Sequence, residues 1–394
     1  MNVVGIVAEF DPFHAGHRHL VEETRRHTGA ETVVAVMSGD FTQRGEPAAF
    51  NKHARAEMAV RGGVSLVLEL PLPGCISSAQ GFARAGVGLL AATGAVSALA
   101  FGSECADIDL LKSAAAAVEQ EKSVQSMHRY LDAGLSYAAA REQALRDSCG
   151  EAAASVLRSP NDTLAVEYIR AAGELMPSPE FLAVPRKGSG HNGAASASDI
   201  RTRLFRGENV AGLVPVSTQE ILRRETDAGK GPVTPAALDS ALLSRLRFIS
   251  KEELARTPGV SEGLENRLYD ALRREPSLSA AIRSAQSTRY PLSRIRRAFL
   301  SAALGITKET AGLPPACLRV LAADEKGLEL IRTMEHTALL PLLLRPGDVR
   351  SLPESCQRSV ELGSAARDLY VLGYPGEECR RGDSDFQTPP CIIK

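Results

Sequence analysis

Apolar and polar positions come in alternating blocks along the first hundred residues. Val3, Val4, Ile6 and Val7 form a short, mostly β-branched run, suited to a parallel strand covered on both faces. Asp11-Pro12 breaks that run, and from about Gly16 the pattern turns helical. Further apolar runs fall at Thr32 to Met37, Val64 to Leu70 and Ala98 to Phe101, with helical stretches at about 16–28, 51–62 and 79–92 between them. Strand and helix in repetition predict an α/β fold, a doubly wound and mostly parallel sheet with helices on both sides. Such sheets bind ligands beyond the carboxyl ends of their strands. The loops to watch are therefore Ala8 to His17, Ser38 to Pro47, Pro71 to Pro73 and Gly102 to Glu104. Ordinary turn chemistry accounts for Pro71 and Pro73, but not for Gln43-Arg44-Gly45-Glu46.

After about Gly212 the strand signals fade. Helical periods dominate, broken at Pro232, Pro235, Pro258 and Pro314-Pro315. The expected organisation is an α/β catalytic domain over residues 1–212 and a mainly helical domain over 213–394, in line with a length of 394 residues. Ala85 to Ser103 is uncharged for 19 residues, but Gly86, Gly88, Gly94 and Gly102 punctuate it. It reads as a helix end, a stop at Gly94 and a strand rather than a membrane span.

Net charge is −1, so no global field draws nucleic acid and any basic surface must be local. Seven scattered cysteines without a Cys-x-x-Cys pair argue against a disulfide framework and against a structural zinc site. Acids and histidines within the first 20 residues do not suit a signal peptide, and the expected location is the cytoplasm. Nothing points to a membrane, a resident metal or a protein partner.

The chemistry concentrates at the first strand–helix junction. A helix N-terminus offers unpaired N–H groups and the positive end of a dipole, both favourable to phosphate, and Gly16 there carries no Cβ to keep a phosphate chain away. His14 and His17 are three apart, so both rings can face one ligand and donate to phosphoryl oxygens as charge develops. Spacing alone also allows a solvated helix start or a His-x-x-His metal site. The surrounding residues Phe10-Asp11-Pro12-Phe13-His14-Ala15-Gly16-His17 resemble the Phe-x-Pro-x-His-x-Gly-His signature of the nucleotidylyltransferase superfamily, with strand before and helix after.

Further strings narrow the resemblance. Met37-Ser38-Gly39-Asp40-Phe41-Thr42-Gln43-Arg44-Gly45-Glu46-Pro47-Ala48, Leu66-Val67-Leu68-Glu69-Leu70-Pro71, Phe101-Gly102-Ser103-Glu104, Ser159-Pro160-Asn161-Asp162 and Ser196-Ala197-Ser198-Asp199-Ile200-Arg201 occur in order. Together they look like the tRNA(Met) cytidine acetate ligase family, densely over residues 1 to about 205 and more sparsely to Asp385-Phe386. The resemblance implies a nucleotidylyltransferase-type sheet and an enzyme that uses ATP, with Mg²⁺ on its phosphates, to activate acetate as acetyl-adenylate. The acetyl group then passes to N4 of the wobble cytidine of elongator tRNA(Met), releasing AMP and pyrophosphate overall, without acetyl-coenzyme A.

By the same resemblance the ATP contacts are Val7, Ala8, Glu9, Phe10, Asp11, Pro12, Phe13, His14, Ala15, Gly16, His17, Arg18, His19 and Leu20, with Gly102, Asn161 and Arg186. Gly102 would let backbone approach adenine or ribose, Asn161 offers donor and acceptor together, and Arg186 can fork onto phosphate. Ser198 is expected to cap a helix whose first amides, with Arg201, meet the β and γ phosphates. A plain N-cap at Ser198 and a solvated basic face for Arg201, Arg203 and Arg206 stay open on the residues alone. The expected catalytic set is His14, His17, Ser198 and Arg201.

Departures from the family pattern are few. Glu9-Phe10-Asp11 replaces a common Glu-Tyr-Asn, and His191-Asn192 stands where many members carry Tyr-His after Arg186-Lys187-Gly188. Lys52 is expected at the surface.

Between Pro276 and Lys308 lie six basic residues and no acid. Arg289, Arg294, Arg296 and Arg297 with Tyr290 suit phosphate tracking and base stacking on RNA; a charged outer helix face is the plainer alternative. A small-molecule nucleotidylyltransferase would share the N-terminal core but has no need of this basic half. A tRNA-binding module with a vestigial nucleotide pocket is disfavoured by intact His14, Gly16, His17, Ser198 and Arg201.

Overall fold

The computed structural model describes residues 2–186 and 195–394. Strands β1 (Val3–Ala8), β2 (Thr32–Ser38), β3 (Leu66–Leu70) and β4 (Ala98–Ser103) form where the apolar runs predict them, joined by helices α1 (Ala15–Thr28), α2 (Lys52–Arg61) and α3 (Ala79–Ala92). The uncharged segment resolves as expected into the end of α3, Gly94 at φ +65 and β4. None of the described helices is long and apolar enough to cross a membrane.

The sheet has eight strands, completed by β5 (Glu180–Pro185), β6 (Leu318–Ala323), β7 (Leu342–Leu343) and β8 (Cys391–Ile392). Its order is β5-β4-β1-β2-β3-β6-β7, with β8 beside β6. β1 pairs in parallel with β2 (Val3 opposite Thr32, Ala8 opposite Met37) and with β4. The chain thus steps from β1 to β2 and β3 on one side, then returns to β4 on the other. That makes the carboxyl end of β1 the switch point where a crevice opens.

Side chains alternate through the sheet. Val4, Ile6, Val33, Ala35 and Met37 pack on one core with Val21 of α1 and Met58 of α2, while Val3, Val34, Val36 and Leu68 face Phe82, Val87 and Leu90 of α3. The second of these cores runs on without a break into the C-terminal half, through Leu242, Leu268 and Phe299.

The fading of strand signals after Gly212 needs correction at Leu318–Ala323. This fully buried run lies antiparallel to β3, with Leu66 opposite Ala323, so the last third of the chain adds three strands to the N-terminal sheet. A six-residue run beside long helical stretches gives little periodic signal, and its partner strand is far away in sequence.

Candidate active site

At the carboxyl end of β1 the chain turns through Phe10, whose φ of +46 places a bulky residue in the left-handed region. Phe10 and Phe13 are buried edge to face at 5.1 Å, and Phe10 stands 4.9 Å from the His17 ring. The two phenyl rings are thus packing residues that carry the junction. Arg55, fully buried on α2, donates to the carbonyls of Glu9 (2.5 Å), Ser38 (3.0 Å) and Gly39, and so fixes the ends of β1 and β2 against each other. Nothing in the local sequence marks this positioning residue.

His14 is the N-cap of α1. Its Nδ1 accepts from the Gly16 N–H at 3.0 Å, and the His17 Nδ1 accepts from the His14 N–H at 3.3 Å, a capping box made of two imidazoles. The rings stack at 3.7 Å with 22° between their planes. With a backbone N–H on each Nδ1, the proton of each neutral ring sits on Nε2. Burial, then the charges of Arg186 and Arg201, lower the His14 pKa to about 4. Burial, then His14 and Arg186, hold His17 well below the ordinary histidine range, against a contribution from the Pro12 carbonyl. Both rings are therefore neutral at neutral pH, and the Nε2–H of His14 is a fixed donor. Glycine at position 16 answers to this arrangement: a Cβ there would stand 2.9 Å from Cε1 of His14. The space it leaves is filled by the ring that caps the helix.

The helix Ala197–Phe205 brings a cation to the same place. Arg201 donates from Nη1 to the Asp11 carbonyl at 2.8 Å and lies 3.6 Å from its carboxylate. The cap of this helix differs from the expected one. Ser196, not Ser198, is the N-cap, because the reciprocal partner of a capping box is an acid three residues on, and Asp199 answers Ser196. Ser198 is exposed at the second helical position.

Across the switch point, Gly102 is the last residue but one of β4 and Arg186 follows β5. Asn161, at the start of the helix Pro160–Leu175, donates to Glu104 Oε1 at 2.5 Å, and Arg186 lies 3.9 Å from the same oxygen. Buried Asp162 ties the loop by accepting from Ser103 Oγ (2.5 Å) and the Glu104 N–H (2.9 Å). Gly102, Asn161 and Arg186 thus converge around Glu104, which was visible only as a strand-end loop residue. A Cβ at Gly102 would meet Arg186 Cγ at 3.5 Å, an ordinary contact, so no protein atom demands glycine there. Within Val7 to Leu20, Arg18 is exposed and pairs with Glu22 at 2.8 Å, His19 lies 3.9 Å from Glu23, and Leu20 packs into the core. Val7 lies under α3, Ala8 and Pro12 frame the turn, and Ala15 is exposed.

A second concavity adjoins the junction, lined by Glu9, Asp11, Thr42, Arg44, Glu46 and Arg201 among others. Glu9 Oε1 accepts from the Gln43 N–H at 2.7 Å. The loop that carries Gln43 to Glu46 is held from behind by the helix Leu292–Ala303: Arg296 pairs with Glu46 at 2.9 Å, and Arg297 donates to the Gln43 carbonyl at 3.2 Å. Arg294 donates to the Gly259 carbonyl at 2.8 Å and lies over the buried Tyr290 ring, and Arg289 pairs with Glu262. The basic run therefore makes contacts within the protein, and Tyr290 offers no free face for a base.

Lys52 needs a further correction. Its side chain is 1% exposed, with Nζ 2.8 Å from Glu69 and 2.8 Å from Asp385. Arg319 joins Asp385 at 2.6 Å, and Arg367 pairs with Asp40 at 3.1 Å. His191-Asn192, the departure from the family pattern, lies outside the described residues.

The sequence model of the HIGH nucleotidyl transferases matches residues 1–385. A tRNA(Met) cytidine acetate ligase of Syntrophomonas wolfei is 34% identical over 99% of both chains, and one from Thermotoga maritima is 34% identical over 98% of this chain and 99% of its own. The crystal structure of Thermotoga maritima TmcAL bound with alpha-thio ATP superposes over the full length of both chains with a TM-score of 0.94 at 33% identity. Signature, sheet order and full-length similarity agree, and the chain belongs to the tRNA(Met) cytidine acetate ligase family of HIGH nucleotidyl transferases.

Proposed function

We propose that this protein is an ATP-dependent ligase that activates acetate as acetyl-adenylate and acetylates N4 of the wobble cytidine of elongator tRNA(Met). The observation that carries the reading is the pair of neutral, stacked histidines at the β1–α1 junction, in a chain that superposes on a relative solved with an ATP analogue. In the first step an acetate oxygen attacks the α-phosphorus and pyrophosphate departs. His14 Nε2–H, His17 and Arg201 would stabilise the charge on the phosphoryl oxygens, and Arg186 with Asn161 would hold the nucleotide across the switch point. Ser198, at the second position of its helix, is proposed to meet the phosphates from there. Mg²⁺ would travel with the phosphates. In the second step the cytosine amine attacks the mixed anhydride, with no covalent enzyme intermediate.

Residues 1–212 would bind ATP and residues 213–394 would dock the tRNA, in the cytoplasm where both substrates occur. RNA contact is proposed for Arg289, Arg294 and Arg296; Arg297, half-buried and donating to the Gln43 carbonyl, is proposed to act on the site instead. The test combines purified protein, ATP, radiolabelled acetate and total tRNA, followed by nucleoside analysis. Label in N4-acetylcytidine that needs ATP and no thioester is the expected result. Label in a small nucleotide, with none in tRNA, would favour a small-molecule nucleotidylyltransferase.

A further inference from the structure

The concavity beside the histidine junction contains three carboxylates and two guanidiniums, and most of them are already engaged. Asp11 accepts from the Ala49 N–H at 2.8 Å and holds Arg201, while Glu46 holds Arg296. Glu9 uses Oε1 for the Gln43 N–H, and its Oε2 has no hydrogen-bond partner among the described residues. Arg44 is exposed on the opposite loop. Glu9 Oε2 as an acceptor and Arg44 as a donor thus line the same space.

That pair selects among ligands by simple complementarity. Acetate offers only acceptors, so a carboxylate repels it. Cytosine presents an amine donor at N4 beside acceptors at N3 and O2, the pattern that a carboxylate and a guanidinium read together. Uracil would turn a carbonyl toward Glu9 and an N–H toward Arg44, a mismatch on both atoms.

Resting on the function proposed above, we infer that this concavity receives the wobble cytosine and that Glu9 Oε2 accepts the proton of its N4 amine during acyl transfer. The N4 lone pair attacks the acetyl carbonyl carbon and the C–N bond forms. The C–O bond to AMP breaks, its electron pair leaving on the phosphate oxygen, and the N4 proton passes to Glu9 and from there to solvent.

The electrostatics make Glu9 a stronger base than an ordinary carboxylate. Burial raises the Glu9 pKa above the usual carboxylate range, the Gln43 N–H opposes it, Asp11 adds to it, and Arg44 and Arg201 lower it. Cys75 and Tyr168 feel the Glu9 charge from the protein side, and Glu46 faces it across the concavity.

Two rates test this: acetate-dependent ATP–pyrophosphate exchange without tRNA, and transfer of labelled acetyl from preformed adenylate to a tRNA(Met) transcript. Loss of a general base costs ~10²-fold or more, so Glu9→Gln should lower the ratio of transfer to exchange by that order. Glu9→Asp should restore part of the ratio. Wild-type transfer should rise with pH through a carboxyl group titrating above its ordinary value, and Glu9→Gln should be flat. A parallel fall of both rates in Glu9→Gln, or unaltered transfer, overturns the assignment. If Glu9→Gln does not fold, the wild-type profile decides, because transfer that does not rise with pH through and above the ordinary carboxyl range also overturns it. Absence of exchange in the wild type would instead refute the proposed function.

Discussion

Lys52 Nζ lies 2.8 Å from Asp385 Oδ1, with both side chains 1% exposed, so the first turn of α2 is locked to a segment nine residues before Lys394. Asp385 also takes Arg319 at 2.6 Å, and both cations reach Glu69 as well, at 2.8 and 3.2 Å, so two buried cations share two carboxylates. Removing one partner of a buried ion group leaves the others uncompensated, so Asp385→Ala should destabilise the protein by about 3–5 kcal/mol. Chemical denaturation followed by circular dichroism measures it. A loss within the range of ordinary surface substitutions would show that the cluster is solvated.

The two histidines can be separated from the helix they cap. His14→Asn keeps a side-chain acceptor for the Gly16 N–H but loses the Nε2–H donor. It should fold with near-normal stability and lose ~10²-fold or more in acetate-dependent pyrophosphate exchange, the usual cost of a transition-state donor. His17→Ala should lose a comparable factor, and the double variant less than the product, because the stacked rings hold each other in place. Exchange within a few fold of wild type in His14→Asn would remove the histidine from the phosphate site.

Protonation gives this junction a signed pH dependence. The His14 pKa of about 4 in the folded protein lies below the ordinary histidine value of 6.5. The unfolded chain therefore binds this proton first as pH falls. The stability contributed by neutral His14 is complete above about pH 6.5 and is lost progressively toward pH 4, with His17 acting in the same direction. Denaturation midpoints measured at pH 7, 6 and 5 should fall in that order, less steeply in His14→Asn. Between pH 6 and 8 pyrophosphate exchange should show no limb from His14, which is already neutral there.

Elements whose partners are close in sequence were legible from the chain. β1 through β4 and α1 through α3 fall within a residue or two of their expected bounds, because each carries its own apolar period and its own turn. The histidine junction was legible for the same reason. Lys52 was misread because its partners Glu69, Asp385 and the neighbouring Arg319 meet only after β6 joins the sheet. Ser198 stands in the same string as the true cap, and the acid three residues on is what singles out Ser196. Arg55 carries no local signal at all, since its acceptors are backbone carbonyls at the ends of two strands.

Gly45 couples the two halves of the chain at the site. Its φ is +72, and a Cβ there would stand 2.6 Å from the Arg297 backbone nitrogen, with no side chain able to yield. Gly45→Ala should push the Gln43–Glu46 loop off the helix Leu292–Ala303 and disturb the N–H that Gln43 gives to Glu9. Acetyl transfer should then suffer more than pyrophosphate exchange. Equal losses in the two rates would mean that the loop serves the nucleotide rather than the acceptor.

Three arginines of the basic run should divide by their response to salt. A phosphate contact releases counterions, so removing one should flatten the dependence of log K on log salt by about 0.7–0.9. Arg289 and Arg296 have side chains 48% and 32% exposed, and their present partners Glu262 and Glu46 are single carboxylates that a phosphate can replace. Alanine at either position should weaken tRNA binding and reduce the salt slope. Arg297 differs: burial first, then the neighbouring charge of Arg294, brings its pKa down to about 10, so it remains a cation at neutral pH but points at the Gln43 carbonyl. Arg297→Ala should leave the salt slope intact and lower the transfer rate through the loop it supports. Filter binding at several salt concentrations with the three single variants separates the cases, and an equal flattening in all three would place Arg297 on the RNA as well.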